Sequence, residues 1–454
     1  MTRAPSSKPE SRNSNLNFFD AKVAKEAKIR KDFLCFLCES LLPSRPLRQK
    51  TPCKKQCGHK IDFREPERIA VDALAMTTPM TGVSTIIAEI LRALKEPGFF
   101  NPAQQNFYYN QVDAYHLPPT PSYMPAFPRR AKNPAEVSIT TYGSSLKLPR
   151  FISWMPKLER IVAEQFLLPL LLAFRKTRTL LAPAYVAPLL APCDVWLIVH
   201  DLHVYTHPKT CSLLNRLHYK LLMPFSLRKA KRVFVLSRHV RDILVARFPH
   251  VTQKVEVLPV GIPHDRKRVD DALRLKAYRL HHGLPEKFFL FVGSLHPRKN
   301  LPRLMEAMLR LPEDATLVMA GPQNTDARRV QKMLRSHPNK FKWLDYVSQD
   351  GMTCLYSMAR ALVLPSLDEG LGLPVLEAMA CHCPVLATPG PAHEFFPEAL
   401  LCDPESVDSI KNNLLRLWQD DPLCHELSQK AAQHAQKLSW KNTATVLQKD
   451  FNPK

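Results

Sequence analysis

Glycine is scarce in this chain, since its 454 residues include 12 glycines against 41 prolines. This balance predicts loops that proline stiffens and argues against long flexible linkers. Long apolar runs are also missing. The longest candidate, Phe166 to Phe174, is far too short to span a membrane, and the favoured interpretation of it is a core segment. The first 30 residues are polar and predict no secretory signal.

A regular cysteine framework is absent as well. Eleven unevenly spaced cysteines are typical of a reducing compartment, so we expect a cytoplasmic protein. Cys35, Cys38, Cys53 and Cys57 do form C-x2-C and C-x3-C pairs, and His59 lies nearby. Such pairs can bind zinc. The alternative is favoured, because leucines recur at helical spacing around the first pair and indicate a short helix there.

Acidic residues are few relative to basic ones. The chain has 41 Asp and Glu against 64 Lys and Arg, a formal charge of +23. This excess favours a phosphorylated substrate, an anionic membrane or a nucleic acid as partner. The basic residues are scattered and aromatic residues make up only 8% of the chain. We therefore expect no nucleic-acid partner, whose sign would be salt-sensitive binding.

The pattern strand, loop, helix, strand is clearest between Ala361 and Pro389. Ala361 to Leu364 is a short apolar run suited to a buried parallel strand. A polar loop, Ser366 to Gly372, follows it, and Pro374 fits the first turn of the next helix. Because ligands of open α/β sheets bind outside the carboxyl ends of the strands, this loop is a candidate binding site.

Two carboxylates, Glu369 and Glu377, stand in this stretch with seven residues between them. Gly370 and Gly372 allow a ligand to approach the backbone closely. The free N–H groups of a helix start can bind a diphosphate. Glu377 can then accept hydrogen bonds from ribose hydroxyls, and Glu369 can reach a sugar ring. A plain glycine turn with an acidic residue in the first helical turn is the alternative that these residues leave open.

A family resemblance extends this interpretation. EGLGLPVLEAMACHCPVLAT resembles the EGFGLPxLEAMAxGxPV signature of family 4 glycosyltransferases, also called glycosyl transferases group 1. These are retaining enzymes of GT-B fold that use nucleotide sugars. The chain departs from the signature at His382, where the family has Gly, so a reshaped turn is expected there. The resemblance covers residues 69 to 451 and is strongest over 288 to 390.

Other segments resemble the same family and imply further site residues. FVGSLHPRKNLPRL resembles VGxLxPRKNL, which implies phosphate-binding cations at Arg298 and Lys299. VHDLHVYTHP resembles the family's HDL…HP segment, which implies that His200 enters the cleft as a donor to a sugar hydroxyl or as a proton relay. The implied catalytic residues are His200, Lys299, Arg298 and Glu369. The remaining donor-binding positions that the resemblance implies are Gly82, Gly293, Ser294, Tyr346, Val347, Gly370, Leu371, Gly372, Leu373 and Glu377.

Two of these positions depart from the family. The family's GxGRY corresponds here to Gly82-Val83-Ser84-Thr85-Ile86, which lacks the second glycine and the arginine, and Ser294 stands where some members have Arg. EQFLLPLL and LLAPAYVAPLL resemble the mannosyl- and rhamnosyltransferase-like subgroup, which favours GDP-mannose as donor.

The expected fold class is α/β, with the GT-B arrangement of two Rossmann-like domains facing across a cleft. The alternation of strands and helices supports a parallel α/β architecture by itself. The expected divisions are a basic, partly disordered extension (1–67), an acceptor domain (68–263), a connection (264–286), a nucleotide-sugar domain (287–436) and a closing helix that returns to the first domain (437–454).

The resemblance implies retaining transfer of a hexose, with mannose favoured, from a nucleotide diphosphate sugar to a saccharide or lipid-linked acceptor. Polysaccharide or lipopolysaccharide synthesis is the expected process, with peripheral contact to the cytoplasmic membrane face as a further expectation. No D-x-D pair sits in a suitable loop, so neither a catalytic metal nor a cofactor is expected. A degenerate sugar-nucleotide-binding protein and a GT-B epimerase or phosphorylase are the alternatives.

Overall fold

A computed structural model describes residues 67–72, 82–95, 137–142, 161–322 and 328–451. The chain divides into two units, and all of these residues belong to one of them, Arg64–Leu146 with Arg160–Lys454. Residues 1–66, which contain the cysteine pairs considered for zinc, lie outside the described residues. So does the loop before Gly82.

The described strands form two parallel sheets, which confirms the predicted architecture of two Rossmann-like domains. The strands of the first sheet, called the first lobe with its helices, are β1 Glu67–Asp72, β2 Val137–Tyr142, β3 Thr179–Ala182, β4 Asp194–Val199, β5 Arg232–Val235 and β6 Val255–Val257. Those of the second lobe are β7 Phe288–Val292, β8 Thr316–Ala320, β9 Phe341–Trp343, β10 Ala361–Leu364, β11 Val385–Ala387 and β12 Leu400–Leu401. The strand orders are β2-β1-β3-β4-β5-β6 and β12-β11-β10-β7-β8-β9.

Helices connect these strands. The helices up to β7 are α1 Gly82–Lys95, α2 Leu168–Phe174, α3 His203–Thr206, α4 Leu213–Lys229, α5 Arg238–Arg247 and α6 Ala272–His282; a π-helical turn, Ala163–Leu167, leads into α2. The later ones are α7 Leu301–Met308, α8 Arg328–Ser336, α9 Gln349–Met358, α10 Leu373–Ala380, α11 Pro391–Phe395, α12 Val407–Gln419, α13 Asp421–Ala435 and α14 Trp440–Phe451. Short 3-10 turns lie at Pro208–Thr210, Pro249–Val251 and Pro297–Lys299.

The strands are apolar because both faces of each sheet are covered. In β4, Trp196 and Ile198 join one apolar cluster, while Val195, Leu197 and Val199 join another. Successive side chains of a strand point to opposite faces, so the two clusters cover the two sides of the first sheet. A parallel sheet with helices on both faces needs such continuous apolar strands.

The last helix joins the two lobes. α14 packs against α1, and the hydroxyl of Thr443 hydrogen-bonds to the carbonyl oxygen of Pro259. Gly261 lies directly against Trp440, since a Cβ at residue 261 would stand 2.2 Å from the backbone nitrogen of Trp440. Only glycine leaves room for this contact beside the segment that leaves the first lobe.

Local predictions about helix starts are partly confirmed. Ser237 is the N-cap of α5, where its Oγ accepts a hydrogen bond from the backbone N–H of Val240. Asn300 precedes α7 as predicted, but its side chain makes no capping bond among the described residues. Its amide donates instead to the carbonyl oxygens of Pro365 and Pro404, at 2.9 and 2.6 Å.

The turn at His382 keeps the conformation that glycine favours. His382 has φ +57°, in the left-handed region, and its N–H bonds to the carbonyl oxygen of Met379 at 3.0 Å. The expectation of a reshaped turn is therefore wrong. The histidine instead accepts the local strain that a left-handed non-glycine residue carries.

The interpretation of Phe166 to Phe174 as core is wrong for half of its face. Phe166, Leu170 and Phe174 are each 61–62% exposed, while Leu168 and Leu172 are buried. The apolar residues run all round this short helix, so only one side can pack on the sheet and the other faces outward. None of the described helices is long and apolar enough to cross a bilayer.

Candidate active site

The site is built on two neighbouring strand ends of the second lobe. β7 pairs with β10, so the loops that follow them, residues 293–300 and 365–372, leave the sheet side by side. The N–H of Leu367 donates to the carbonyl oxygen of Arg298 at 2.8 Å, which joins the two loops. This edge is where ligands of open α/β sheets bind.

Glu369 is the centre of the site's charge cluster. Lys299 Nζ lies 2.5 Å from its Oε1, and Arg298 Nη1 lies 3.0 Å from its Oε2. The Ser366 hydroxyl also donates to Oε1, at 2.7 Å. Burial by itself would raise the pKa of Glu369, but the charges of Lys299 and Arg298 outweigh it and lower that pKa to about 2. The structure thus brings together three residues that the sequence implied as catalytic.

The two cations outnumber the carboxylate between them. Burial lowers the pKa of Lys299, an effect that Glu369 opposes. Burial also acts to lower the pKa of Arg298, but Glu369 and then Asp201 raise it overall. This largely buried pair of cations suits a diphosphate whose negative charge grows as a bond to it breaks.

His200 follows β4 in the first lobe and is 4% exposed. Its Nε2 lies 2.5 Å from the carbonyl oxygen of Pro183, so that nitrogen carries the proton and donates. Burial lowers the pKa of His200, which favours the neutral ring. Nδ1 has no hydrogen-bond partner among the described residues. In this arrangement the unpaired Nδ1 can act only as a hydrogen-bond acceptor, whereas the resemblance implied a donor or a proton relay.

Asp201, next in the chain, organises a set of residues that sequence reasoning missed. Its Oδ2 accepts a hydrogen bond from the Tyr185 hydroxyl at 2.8 Å, and its Oδ1 contacts Nδ1 of His203. Burial would raise the pKa of Asp201, but the hydrogen bond and charge of His203 hold it well below its usual range. Two histidines flanking one aspartate at a strand end were the only signal in the sequence.

His296 faces this set from the second lobe. Its ring packs edge-on against that of His203, with centroids 6.2 Å apart. Burial, and then the charge of Arg298, lower the pKa of His296 to about 4. The ring is therefore neutral at neutral pH, and its Nδ1 accepts a hydrogen bond from the backbone N–H of Arg298 at 3.3 Å.

Further contacts close the two lobes on each other beside the charge cluster. The Ser237 hydroxyl donates to the carbonyl oxygen of Gly370 at 2.7 Å. Asp368 accepts a hydrogen bond from Thr206 at 2.6 Å, and the rings of His207 and His239 lie 3.7 and 3.5 Å from its carboxylate oxygens. Gly370 is required here, because a Cβ on it would stand 2.0 Å from the carbonyl oxygen of His200.

Glu377 lies in α10 and is 8% exposed. Its Oε2 accepts a hydrogen bond from the Tyr356 hydroxyl at 2.8 Å, and its Oε1 lies 3.5 Å from the guanidinium of Arg266. Sequence reasoning missed both partners, since each is far from Glu377 in the chain. Gly372, with φ +72°, makes the sharp entry to α10 that an L side chain would strain.

The other implied donor-binding positions differ in how they can act. Leu371 and Leu373 are buried in the apolar core, so only their backbone can meet a ligand. Gly293 packs against Lys299, since a Cβ on it would stand 3.4 Å from Cε of that lysine. Ser294 and Val347 are half-buried, Tyr346 is exposed, and the exposed Gly82 begins α1. Within the described ranges, no group of three or more His, Cys, Asp or Glu side chains is placed to hold a metal ion.

Comparison with curated proteins finds sugar transferases. The O-antigen chain mannosyltransferase B of Escherichia coli is 26% identical over 262 residues, which are 54% of this chain and 67% of that protein. The O-antigen chain mannosyltransferase RfbU of Salmonella typhimurium is 27% identical, over 49% of this chain and 60% of that protein. The serotype-specific mannosyltransferase WbdA of Escherichia coli is 25% identical, but the match spans only 29% of it.

Solved structures share the fold over most of the chain. WaaG, a glycosyltransferase involved in lipopolysaccharide biosynthesis, matches with a TM-score of 0.61 at 16% identity, over 85% of this chain and 100% of that one. Sucrose-phosphate synthase from Thermosynechococcus elongatus matches with 0.61 at 19% identity, over 84% and 97%. These likenesses confirm the GT-B fold. Residues 278–434 match the family model of glycosyl transferases group 1.

Proposed function

We propose that this chain is a retaining glycosyltransferase that moves a hexose, with mannose favoured, from a nucleotide diphosphate sugar to a saccharide or lipid-linked acceptor. The observation that carries the proposal is the cluster of Lys299, Arg298 and Glu369 at the ends of β7 and β10. Polysaccharide or lipopolysaccharide synthesis is the process that its mannosyltransferase relatives support.

Each part of the site has a role in this proposal. Lys299 and Arg298 bind the diphosphate and neutralise it as it leaves with its negative charge, in place of a metal ion. Glu369 positions the transferred sugar, and Glu377 accepts hydrogen bonds from the ribose. His200 offers Nδ1 to a sugar hydroxyl. The acceptor hydroxyl forms the new bond to the sugar as the bond to the phosphate breaks, and the departing phosphate takes the acceptor's proton, so the reaction needs no general base from the protein.

Replacing Glu377 with Ala tests the donor site. We expect donor affinity to fall about 10- to 100-fold, since hydrogen bonds to a charged group contribute about 1.5–3 kcal/mol. Thermal stabilisation of wild type and variant across GDP-, UDP-, ADP- and dTDP-sugars measures this, because only ligands that bind the folded state raise its melting temperature. We expect GDP-mannose to give the largest shift. A variant that binds and turns over every donor like wild type would contradict the assignment.

Analysis of the products formed from the same donors separates the alternatives. A glycosyltransferase releases nucleotide diphosphate and passes the sugar to an added acceptor. An epimerase returns an altered nucleotide sugar, and a phosphorylase needs free phosphate. A degenerate binding protein gives a shift in melting temperature without transfer or hydrolysis of the donor.

Peripheral membrane contact is a further part of the proposal, and an exposed apolar surface on the first lobe supports it. Phe166, Leu170 and Phe174 recur at every fourth residue, as do Leu213, Leu217, Leu221 and Phe225 along α4, and all are 47–71% exposed. The two helices flank one loop, because Ala187 accepts a hydrogen bond from the Gln165 amide and donates one to the Ser226 hydroxyl. Contiguous exposed apolar surface of this kind marks an interaction site.

The charge around these two rows of exposed apolar residues, called the apolar stripes, favours an anionic lipid surface as their partner. α4 contains Arg216, Lys220, Arg228 and Lys229 and no acidic residue. Arg175 and Lys176 follow directly after α2. Each cation near an anionic leaflet contributes about 1 kcal/mol, and the apolar stripes add their own burial.

Replacing Leu217 and Leu221 together with Glu is expected to abolish binding to vesicles of phosphatidylglycerol and phosphatidylcholine in a flotation assay. Leu273 and Leu280 of α6 are even more exposed than Leu217 and Leu221, and replacing both with Glu is the matched control that should still float. Binding should weaken at high salt. Failure of the wild type to float at low salt would refute membrane contact. If the wild type sediments as a larger species than the Leu217 and Leu221 variant, the apolar surface would instead be assigned to contact with a second copy of the chain.

A further inference from the structure

Arg266 is a buried cation that the roles above leave unexplained. It lies between β6 and α6, in the segment that connects the lobes, yet its side chain is only 2% exposed. Its Nη1 donates to the carbonyl oxygen of Gln349 at 2.8 Å and to the Thr353 hydroxyl at 2.9 Å. Its Nη2 also contacts the side-chain oxygen of Gln349. Three contacts to α9 thus anchor the guanidinium in the second lobe.

The anchored guanidinium faces Glu377. Its Nε and Nη2 both lie 3.5 Å from Oε1 of Glu377, a distance long for a hydrogen bond. Nε has no hydrogen-bond partner among the described residues. The contact therefore supplies charge without saturating the oxygen, so Oε1 keeps lone pairs for another donor. On the opposite side, Tyr356 occupies one site of Oε2.

We propose that Arg266 is a positioning residue of the donor site, which keeps the Glu377 carboxylate ionised and oriented to accept hydrogen bonds from the ribose hydroxyls of a nucleoside diphosphate. This proposal rests on the proposed function for the identity of the ligand. It assigns to the connection between the lobes an indirect part in holding the donor, exerted through Glu377.

The electrostatics of Glu377 give the proposal its pH dependence. Burial raises the pKa of Glu377, and the charge of Arg266 is the largest effect that lowers it. Tyr356 on α9 also lowers it through its hydrogen bond, whereas Asp265 in the connection raises it. Cys381, at the end of α10, is a further titratable group beside Tyr356. Without Arg266 the pKa of Glu377 rises further, and a protonated carboxyl has lost acceptor capacity.

Replacing Arg266 with Met should therefore weaken binding of the nucleoside diphosphate more at low pH than at high pH. We expect affinity about 10- to 100-fold below wild type at pH 6, since a hydrogen bond to a charged group is lost, with partial recovery at pH 8.5. R266K retains a positive charge, and its affinity should lie between those of R266M and the wild type. Calorimetry of GDP and UDP binding at these pH values measures the effect. R360M is the control, because Arg360 is also a largely buried arginine, bonded to the Leu417 carbonyl and to Asp421.

A second measurement does not depend on the ligand. In R266M, the native state holds a proton on Glu377 up to a higher pH than the unfolded chain does. Its free energy of unfolding in urea should consequently fall as pH rises from 5 to 8, and adding E377Q should remove that slope. If the wild type binds no nucleoside diphosphate, the proposed function is refuted. The pH dependence of the free energy of unfolding in R266M would still test the effect of Arg266 on Glu377. Equal loss of affinity at every pH, or an unchanged slope in R266M/E377Q, would overturn the positioning role.

Discussion

Replacing Lys299 with Met is expected to lower the turnover number for sugar transfer by about 10²–10³, the usual cost of losing one group that stabilises a developing charge. The lysine lies 2.5 Å from Glu369 and beside Arg298, at the end of β7. Its charge matters most when the diphosphate leaves, so the turnover number should fall more than donor affinity. Initial rates of transfer at saturating donor measure this.

The same substitution also has a cost in stability, which must be separated from catalysis. Glu369 would keep Arg298 and Ser366 as partners, so the expected loss is about 1–3 kcal/mol in the free energy of unfolding. K299M/E369Q should recover stability but not turnover. K340M is a matched control, because Lys340 is equally buried but precedes β9, at the opposite end of the sheet from the site. Normal transfer by K299M would remove the lysine from the mechanism.

Replacing Gly370 with Ala is expected to reduce turnover by about 100-fold or more, because misplacing catalytic groups by about 1 Å can cost that much. The added Cβ would stand 2.0 Å from the carbonyl oxygen of His200 and 2.8 Å from Cβ of Asp201, so the lobes cannot meet as they do. The charged groups assigned to the diphosphate and the ribose, Arg298, Lys299 and Glu377, lie in the second lobe. We therefore expect near-normal donor affinity together with slow transfer.

S237A provides the comparison for this prediction. It removes the hydrogen bond to the carbonyl oxygen of Gly370 without adding bulk. A neutral hydrogen bond contributes about 0.5–1.5 kcal/mol, so S237A should slow transfer far less than G370A. Small-angle scattering with bound nucleotide diphosphate should show G370A more open than wild type. A G370A variant as compact and as active as wild type would mean that the lobes do not close in this way during turnover.

Local pattern predicted much of the fold because each parallel strand is a short apolar run with turn residues after it. Residues close in the chain were enough to predict three local features: the strand Ala361–Leu364, the helix start around Pro374 and the cap at Ser237. The pattern could not say which apolar face meets solvent. Phe166, Leu170 and Phe174 show this, since their segment has apolar residues on both sides and only tertiary packing determines which side is buried.

The candidate site, like the fold, was predictable only in part. Resemblance over short segments named Arg298, Lys299 and Glu369, and the pairing of β7 with β10 explains why they meet. It gave no access to partners that the fold brings from elsewhere. Arg266 reaches Glu377 across 111 positions of the chain, and Tyr185 reaches Asp201 from another strand end. Neither contact leaves a periodic signal.

The polar contacts at Asp368 and Gly370 have a consequence for the rate of product release. A few hydrogen bonds that each contribute about 0.5–1.5 kcal/mol stabilise the closed arrangement of the lobes only weakly, and together they act as a weak latch. An equilibrium biased by only a few kcal/mol leaves the minor state about 0.1–10% populated, so the cleft opens spontaneously between catalytic cycles. Opening of this kind takes microseconds to milliseconds and often limits turnover. We therefore expect the turnover number to fall as solvent viscosity rises, and T206V, which loosens the latch at Asp368, to be less sensitive to viscosity than the wild type.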